Sequence, residues 1–546
     1  MVSSHPSSLT SSRLTVSPLV LANLNSEPVS ELLYSGFLEH VGRCIYGGIV
    51  DSPKHPSPAK LLETTDHGDE VSKGRLGWRK DVVDLIGKKG DLEVPMLREH
   101  ADSPGNFVSN YHWEDGIGPV DERPRRIELA WLSDESNKFG TNEFIDYCRR
   151  TECEPYICLN MGTGTLNEAL AWLEYCNGVG DTHWANLRRK HTGRHEPHNI
   201  KYWGLGNEMW GPWQVGNLKA ADYAERARIW AHGLRLVDPT IKLVSCGREG
   251  NDEWDEVVLK ALIGSVDMHS IHFYSTLSQE KVKEVRGLEY ENNVFGPAAA
   301  DRSIQLCKAM INKIKIEKNH QRVETRPIKV AFDEWNVWDE VKAPGSGGLE
   351  QSYDFTDMLG FVAWLNLLVR NHQDLGLACL AQTVNVISPV MTRPDAVLKQ
   401  VIYYPLRLFS RNMKGGHTLH LPPTADVYNG VTYPLWIQEI CPPSYIDTCA
   451  MAHSSPESKK ISIRLSILNR HPTADWTLDL RVDDMKVEGV EVHEMWSDDL
   501  SAKNTFEDPE RILPQVTKYS AKEWAGKKRV VRAHSWQFIF VEGTKL

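Results

Sequence analysis

The sequence predicts an α/β fold, a (β/α)8 TIM barrel followed by a C-terminal antiparallel β-sandwich of the jelly-roll type. Eight short apolar runs alternate with helical or polar stretches between Leu33 and about residue 392, and eight such units close a barrel. From about residue 393, runs that alternate every second residue replace the helical pattern. We therefore expect a catalytic barrel at 36–392 and a sandwich at 393–546.

Each of the eight runs is short and apolar, as expected for strands covered on both faces. In chain order they are SGFLEHVG ending near Glu39, VPMLRE near Arg98, PYICLNMG near Asn160, IKYWGLGNE at Glu208, IKLVSCG near Cys246, VDMHSIHFY at Tyr274, IKVAFDE at Glu334, and LACLAQTVNV carrying Gln382. Segments with apolar residues at helical spacing lie between them: TNEFIDYCRRT, NEALAWLEYCN, AADYAERARIWAHGLRLVD, ADRSIQLCKAMINKIKIEK and TDMLGFVAWLNLLVRN.

Six later runs predict the strands of the sandwich: GHTLHL, VTYPLWIQEI, KISIRLSILNR, WTLDLRV, EGVEVHEMW and SWQFIFVEG. KNTFEDPERILPQVTKYSAKEWAGKKR is interpreted as a polar connection, and the stretch from Thr276 to Ala300 as a loop over the cleft. Residues 1–35 are expected to add a strand or strands to the sandwich, because a closed barrel has no free edge.

Composition excludes several classes of partner. A formal net charge of −11 argues against nucleic acid, and no run approaches the roughly 18 apolar residues of a membrane span. The N-terminus lacks the features of a secretory signal. The ten cysteines show no metal or disulfide spacing, and the chain has no Asn-x-Ser/Thr acceptor. These observations predict a cytoplasmic protein, although a secreted chain whose leader has been removed would look the same.

Two runs end in a glutamate framed by aromatic residues, Glu208 on the fourth and Glu334 on the seventh. The C-terminal ends of barrel strands form the catalytic face, and a carboxylate pair there points to glycoside hydrolysis. The separation of the two groups, about 5 Å for retention and wider for inversion, stays open. Asn207 is placed to bind a hydroxyl beside the reacting carbon, and His272 and Tyr274 to orient Glu334.

For either glutamate alone, a solvated surface position is the commoner outcome. Two strand-end glutamates, each beside Asn or Asp and Trp, favour the catalytic pair instead. No HExxH motif or paired cysteine spacing supports a zinc site, so we predict no metal and no organic cofactor.

Seven motifs are long or specific enough to compare with known families: GFLEHVGRCIYGG, GNFVSNYHWEDGIGP, KFGTNEF, the GNE at 206–208, the HFY at 272–274, DEWNVW and AQTVNVISPVMT. They closely resemble glycoside hydrolase family 51, the α-L-arabinofuranosidases, from about residue 33 to 405. The resemblance implies a (β/α)8 barrel with the acid/base on strand 4 and the nucleophile on strand 7, a C-terminal β-sandwich, and retention of configuration.

Carried over residue by residue, the resemblance implies that Glu208 is the general acid/base and Glu334 the nucleophile, supported by Arg98. It implies that the furanose ring is held by Glu39, Asn106, Asn207, Tyr274 and Gln382, and that Trp131 and Trp338 are walls of the leaving-group site. One segment departs from the family pattern: the family usually reads Arg-aromatic-Pro-Gly-Gly-Asn after strand 2, whereas this chain reads REHADSPGN.

We predict a retaining, exo-acting α-L-arabinofuranosidase that releases terminal arabinose from arabinoxylan, arabinan and their oligosaccharides. An endoglucanase or β-xylosidase on the same fold is one alternative, because the fold alone does not determine the substrate specificity. A catalytically weak carbohydrate-binding protein is the other. The resemblance also implies that the chain can form homo-oligomers.

Overall fold

The structure, a computed structural model, describes residues 5–16, 27–52, 56–63, 77–99, 111–277, 287–322, 325–421, 426–431, 433–434, 436–437, 442–454 and 459–546. The position of Asn106 and most of the departing segment that precedes it lie outside these residues.

Eight parallel strands close into a barrel, and the last strand pairs with the first. The eight predicted runs all supply strands, so the predicted barrel is confirmed. In chain order, barrel strands 1 to 8 are Ser35–Leu38, Met96–Glu99, Glu154–Cys158, Tyr202–Leu205, Lys242–Ser245, Met268–Leu277, Lys329–Asp339 and Leu375–Leu380. Strands 6 and 7 are the longest and run beside each other as far as Leu277 and Asp339.

Helices connect the barrel strands, and the five predicted helices are all present. The α-helices are Lys80–Ile86, Thr141–Thr151, Leu166–Asn177, His183–Thr192, Ala220–Val237, Glu253–Leu262, Glu289–Phe295, Ala298–His320, Phe355–Arg370, Tyr403–Asn412 and Ala521–Trp524. Short 3-10 helices lie at Glu31–Tyr34, Ala59–Leu61, Trp113–Gly116, Val120–Glu122 and Gly345–Gly347. The segments Glu289–Phe295 and Ala298–His320 correct the loop expected up to Ala300: its described part is largely helical.

The C-terminal part forms a six-stranded antiparallel sheet and a smaller three-stranded sheet. The six-stranded sheet contains, in spatial order, His417–Leu419, Ile446–Ser454, Lys460–Asn469, Ser535–Lys545, Met485–Met495 and Gln515–Ser520. In the second sheet, Ser12–Val16 pairs in parallel with Trp476–Val482, which pairs antiparallel with Arg529–Val531. The expected domain boundaries near residues 35 and 392 stay a prediction.

Four details of the predicted sandwich differ from the structure. Two strands, Ile446–Ser454 and Arg529–Val531, lie in none of the predicted runs. The described residues of VTYPLWIQEI form no strand: Trp436 and Ile437 are helical, and Pro434 has no N–H to give to a ladder. Gln515–Ser520, inside the supposed polar connection, is a strand at the edge of the sheet. Almost every residue of that strand is exposed, which explains its polar composition.

Three further pairs of strands form two-stranded antiparallel ribbons: Leu62–Glu63 with Trp78–Arg79, Arg126–Glu128 with Ser133–Glu135, and Val390–Arg393 with Ala396–Lys399. The second ribbon presents Trp131 at its turn.

Helix Phe355–Arg370 begins at Asp354, whose side chain accepts a hydrogen bond from the backbone N–H of Asp357. It is buried on nearly every side, because it lies between the barrel and the strand Ile446–Ser454.

The described cysteines, nine in number, are buried free thiols. None of the described helices is long and apolar enough to cross a membrane.

Candidate active site

The predicted site residues gather at the C-terminal end of the barrel. They line or underlie one cavity of about 730 Å³. The predicted residues that line it are Glu39, Trp131, Asn207, Glu208, His272, Tyr274, Glu334, Trp338 and Gln382. Arg98 lies beneath the cavity, almost completely buried, and Asn106 is outside the described residues.

Glu334 lies within barrel strand 7 and is held by groups from strands 2 and 6. Arg98 Nη1 donates to Glu334 Oε1 at 2.9 Å, and the Tyr274 hydroxyl donates to Oε2 at 2.9 Å. Arg98 Nη2 also donates to Asn207 Oδ1 at 2.7 Å. One guanidinium therefore fixes both a carboxylate of strand 7 and the amide that follows strand 4.

Asp333, beside Glu334, is a buried charge that the sequence analysis did not assign to the site. Its carboxylate lies 3.2 Å from Arg98 Nε and accepts hydrogen bonds from the hydroxyls of Tyr156, at 2.8 Å, and Ser270. Burial alone raises the pKa of Asp333, but Arg98, His272 and the Ser270 hydroxyl hold it well below its usual range. Asp333 therefore keeps Arg98 in place as a charged partner. Its position beside Glu334 in DEWNVW was the only sequence signal.

His272 lies between the two glutamates. Its Nδ1 is 3.1 Å from Glu208 Oε1 and 3.4 Å from Glu334 Oε2, and its Nε2 is 3.3 Å from Asp333 Oδ1. Burial alone lowers the pKa of His272, whereas the three surrounding carboxylates raise it to about 10. The ring is therefore an imidazolium at neutral pH, and it binds both glutamates rather than only Glu334.

Glu208 follows barrel strand 4 after a sharp turn, three residues beyond the last strand residue, Leu205. Its own φ is 44°, in the left-handed region, and Gly206, two residues earlier, has φ 75°. Burial raises the pKa of Glu208, but hydrogen bonds and the charge of His272, with the indole of Trp213, leave that pKa below its usual value. The site therefore stabilises the carboxylate form of Glu208.

Glu39 directly follows barrel strand 1 and lines the same cavity. Trp131 Nε1 donates to its Oε1 at 2.8 Å, and Gln382 Nε2 donates to its Oε2 at 2.7 Å. Burial, with smaller contributions from Glu334 and Glu208, raises the pKa of Glu39 to about 8. Glu39 is therefore mostly protonated at neutral pH, which gives the cavity an acid hydroxyl in addition to carboxylate acceptors.

Aromatic rings form the cavity walls. Trp338 contacts the Tyr274 ring edge to face, with centroids 6.0 Å apart. Trp210 and Trp213, which the sequence analysis did not single out, also line the cavity with their rings at 84° and 5.1 Å apart. Both follow Glu208 within five residues, in the stretch KYWGLGNEMWGPWQ at 201–214, and that position was the available signal. Flat indole faces beside carboxylates suit a sugar-binding site.

Among the described residues, Glu208, His272 and Glu334 also form the one group that could hold a metal ion, with donor atoms within 4.8 Å of one another. An imidazolium has no lone pair for a metal, so this trio is better suited to sharing protons than to coordination. The absence of a metal or cofactor from the function stays a prediction.

The chain matches two family models. The model described as alpha-L-arabinofuranosidase 1 domain matches residues 103–291, and the one described as alpha-L-arabinofuranosidase C-terminal domain matches residues 333–535. Together they include Glu208 and Glu334.

Three known proteins illustrate the similarity. A probable alpha-L-arabinofuranosidase C of Aspergillus clavatus is 44% identical over 80% of this chain and 82% of its own length. The intracellular exo-alpha-(1->5)-L-arabinofuranosidase of Halalkalibacterium halodurans is 32% identical over 96% of this chain and 99% of its own. A solved structure, the thermostable GH51 alpha-L-arabinofuranosidase from Thermotoga petrophila, superposes with a TM-score of 0.73 at 33% identity, over 97% of this chain and 99% of that one.

Proposed function

Because the chain belongs to glycoside hydrolase family 51, the α-L-arabinofuranosidases, we propose that it is a retaining, exo-acting enzyme of this class. It releases terminal, non-reducing α-L-arabinofuranosyl residues from arabinoxylan, arabinan and their oligosaccharides. One observation carries the mechanism: a carboxylate oxygen of Glu208 lies within 4.8 Å of one of Glu334. Carboxyl groups about 5 Å apart favour double displacement, because a wider gap is needed to admit the water of an inverting enzyme.

In the first step, a carboxylate oxygen of Glu334 attacks the anomeric carbon of the arabinofuranosyl group. A carbon–oxygen bond to Glu334 forms as the bond to the leaving group breaks, and the proton of a protonated Glu208 passes to the departing oxygen. Because the site favours the carboxylate, this step uses the minority of enzyme molecules in which Glu208 holds its proton. The products are a glycosyl ester on Glu334, the free leaving group and a Glu208 carboxylate.

In the second step, the Glu208 carboxylate takes a proton from water while the water oxygen attacks the anomeric carbon. The ester bond to Glu334 breaks, and arabinose leaves with its original configuration after two inversions. The stabilisation of the Glu208 carboxylate by His272 supports this step, because Glu208 must be a base at that moment.

The groups around Glu334 prepare it as a nucleophile. The Arg98 guanidinium, the Tyr274 hydroxyl and the imidazolium of His272 all favour its ionised form. When the ester forms, Glu334 loses its charge and His272 loses an attractive partner. His272 then keeps Glu208, 3.1 Å from the same nitrogen, as its remaining glutamate partner and stabilises the carboxylate that the second step needs.

The remaining residues bind substrate. We assign the furanose ring to Glu39, Asn106, Asn207, Tyr274 and Gln382, and the leaving group to a site between Trp131 and Trp338. The bond from Arg98 fixes the amide of Asn207 beside Glu208, which supports its role at the hydroxyl next to the reacting carbon. Exo action is supported by the name of the Halalkalibacterium halodurans relative.

A substrate panel tests the proposed function. The enzyme is incubated with aryl α-L-arabinofuranoside, aryl β-D-xyloside, soluble cellulose and linear arabinan. We expect rapid release from the arabinofuranoside, with free arabinose as the only small product from arabinan. Preferential cleavage of the xyloside or of cellulose would assign the chain to another specificity. Binding of arabinose oligomers without release of product would make it a binding protein.

We also propose that the chain acts in the cytoplasm. The intracellular relative and the buried free thiols support this location. Fractionation of producing cells checks it, with activity expected in the cytosolic fraction. Assembly into homo-oligomers stays a prediction, which light scattering of the purified chain tests.

A further inference from the structure

Trp213 contacts Glu208 on the open side of the cavity. Its Nε1 donates to Glu208 Oε2 at 3.0 Å, whereas the buried His272 contacts the other oxygen, Oε1. The indole is nevertheless 55% exposed, an unusual position for a tryptophan bonded to such a group. We propose that Trp213 couples leaving-group recognition to proton transfer: its N–H orients the Glu208 carboxyl group, and its exposed face supports the departing sugar in the same cavity as Trp131 and Trp338.

The local chain is shaped to bring this indole back to Glu208. The backbone N–H of Gly211 donates to the carbonyl of Glu208 at 2.7 Å, and that of Gln214 donates to the carbonyl of Gly211 at 3.0 Å. The indole then lies directly over Gly211, where an added Cβ would be 2.6 Å from Trp213 Cε2. Glycine at this position is therefore what allows the ring to reach the carboxylate.

A second tryptophan gives the indole a fixed support. Trp210 contacts the Trp213 ring at 84°, and Trp210 Nε1 donates to the carbonyl of Gly247 at 3.0 Å. The Arg248 guanidinium lies 4.9 Å from the centre of the Trp210 ring. Trp213 thus rests on a ring that is itself held in place, which leaves its exposed surface for a ligand.

The chemistry of the indole N–H explains why it acts on Glu208. It can only donate, so it binds Oε2 in every protonation state of the carboxyl group and restricts rotation of that group. Proton transfer to a leaving oxygen depends steeply on distance and angle, and a positioned general acid contributes about 10²- to 10⁴-fold in rate. A sugar seated on the indole would also exclude water from this hydrogen bond. The Trp213 side chain would then serve both recognition of the leaving-group sugar and acid catalysis.

This inference rests on the proposed role of Glu208 as acid/base, and its test compares leaving groups. A dinitrophenyl arabinofuranoside departs with little help from an acid, whereas an arabinose disaccharide needs a proton. We expect Trp213→Phe, which keeps a ring but loses the N–H, to lower kcat for the disaccharide about 10- to 100-fold. Its kcat for the dinitrophenyl substrate should change less than about threefold, and KM for either substrate should change little.

Two further variants separate orientation from support. Gly211→Ala leaves the indole chemically intact but displaces it, so it should reproduce the selective loss of kcat. Trp213→Ala removes the ring as well, so KM for the disaccharide should rise in addition. In Trp213→Phe, the alkaline limb of kcat/KM against pH should move to higher pH, because the carboxylate of Glu208 loses a donor that stabilises it.

Trp496→Phe, at a 39% exposed tryptophan in the C-terminal part, is the matched control and should behave as wild type. An equal loss with both substrates in Trp213→Phe and Gly211→Ala, or no loss in either, would overturn the inference while the wild-type enzyme still releases arabinose. A wild-type enzyme that hydrolyses neither arabinofuranoside would instead overturn the proposed function on which the inference rests.

Discussion

Arg98 donates a 2.9 Å hydrogen bond to Glu334 and also lies 3.2 Å from Asp333, so one buried guanidinium serves two adjacent carboxylates of barrel strand 7. The pairing joins strand 2 to strand 7 across the barrel interior. The ionised form of Glu334 therefore depends on Arg98, a residue that does not line the cavity.

Arg98→Met should therefore reduce both stability and activity. The change leaves Asp333 as a buried charge without its guanidinium partner, and breaking a buried ion pair typically costs about 3–5 kcal/mol. We expect a lower free energy of unfolding in chemical denaturation and a loss of kcat of at least about 100-fold. Adding Asp333→Asn should restore much of the stability but not the activity, because Glu334 still lacks its donor. Recovery of both quantities in the double variant would show that Arg98 acts only through Asp333.

Glu39 should make the enzyme less stable as pH rises through the neutral range. The folded state keeps the Glu39 proton to about pH 8, whereas the unfolded chain, with an ordinary glutamate pKa of 4.5, releases it near that pH. Between these values the unfolded state binds fewer protons, so the free energy of unfolding falls as pH rises.

Glu39→Gln removes this titration and resembles the protonated acid in shape. The stability of the variant relative to wild type should rise across that pH window, by a few kcal/mol at most, since a tenfold change in an acid constant corresponds to about 1.4 kcal/mol. Denaturation curves at several pH values measure it. A difference that does not depend on pH would contradict the raised pKa of Glu39.

His272 should stabilise the fold through a proton that it gains, and this contribution also falls as pH rises. In the folded state the ring holds its proton to about pH 10, but in the unfolded chain it loses the proton near 6.5. The contribution to stability is therefore complete below pH 6.5 and disappears as pH rises towards 10. His272→Gln should be less stable than wild type at pH 6, and the gap should close at alkaline pH. A gap that stays constant would mean that the ring is neutral when folded.

Variants that lack Glu208 or Glu334 should, in the presence of azide, give glycosyl azides of opposite anomeric configuration. In Glu208→Ala, azide attacks the glycosyl ester and should yield the α-azide from a dinitrophenyl α-arabinofuranoside. In Glu334→Ala, it attacks the substrate directly and should yield the β-azide. Proton NMR of the isolated azides distinguishes them. The reverse pattern would exchange the assigned roles.

The barrel could be predicted from the sequence because each of its strands is a short apolar run with a recognisable end. Glu208 and Glu334 could be recognised for the same reason, since each follows such a run among aromatic residues. The missed strand Ile446–Ser454 is largely buried on both faces and packs against helix Phe355–Arg370. Its sequence therefore lacks the alternation of apolar and polar residues that marks a half-exposed strand. Gln515–Ser520 was missed for the opposite reason, because both of its faces are exposed.

The contacts of the site were less accessible to sequence analysis. Arg98, Tyr156 and Ser270 meet Asp333 only because four strands converge inside a closed barrel, and no spacing along the chain encodes that convergence. Likewise, the contact of His272 with Glu208 depends on the turn after strand 4, where the left-handed residue Glu208 redirects the carboxylate. Sequence patterns locate the ends of elements, whereas the partners of a side chain depend on tertiary packing.

The central claim is that Glu334 forms a covalent bond to the sugar within reach of Glu208. The most direct measurement is the intact mass of Glu208→Ala during turnover of dinitrophenyl α-L-arabinofuranoside, followed by peptide mapping. Without a base to activate water, the ester should accumulate, and the mass should increase by one arabinosyl group located on the peptide that contains Glu334. An unmodified protein during continued release of dinitrophenol, or a sugar attached to any other residue, would contradict it.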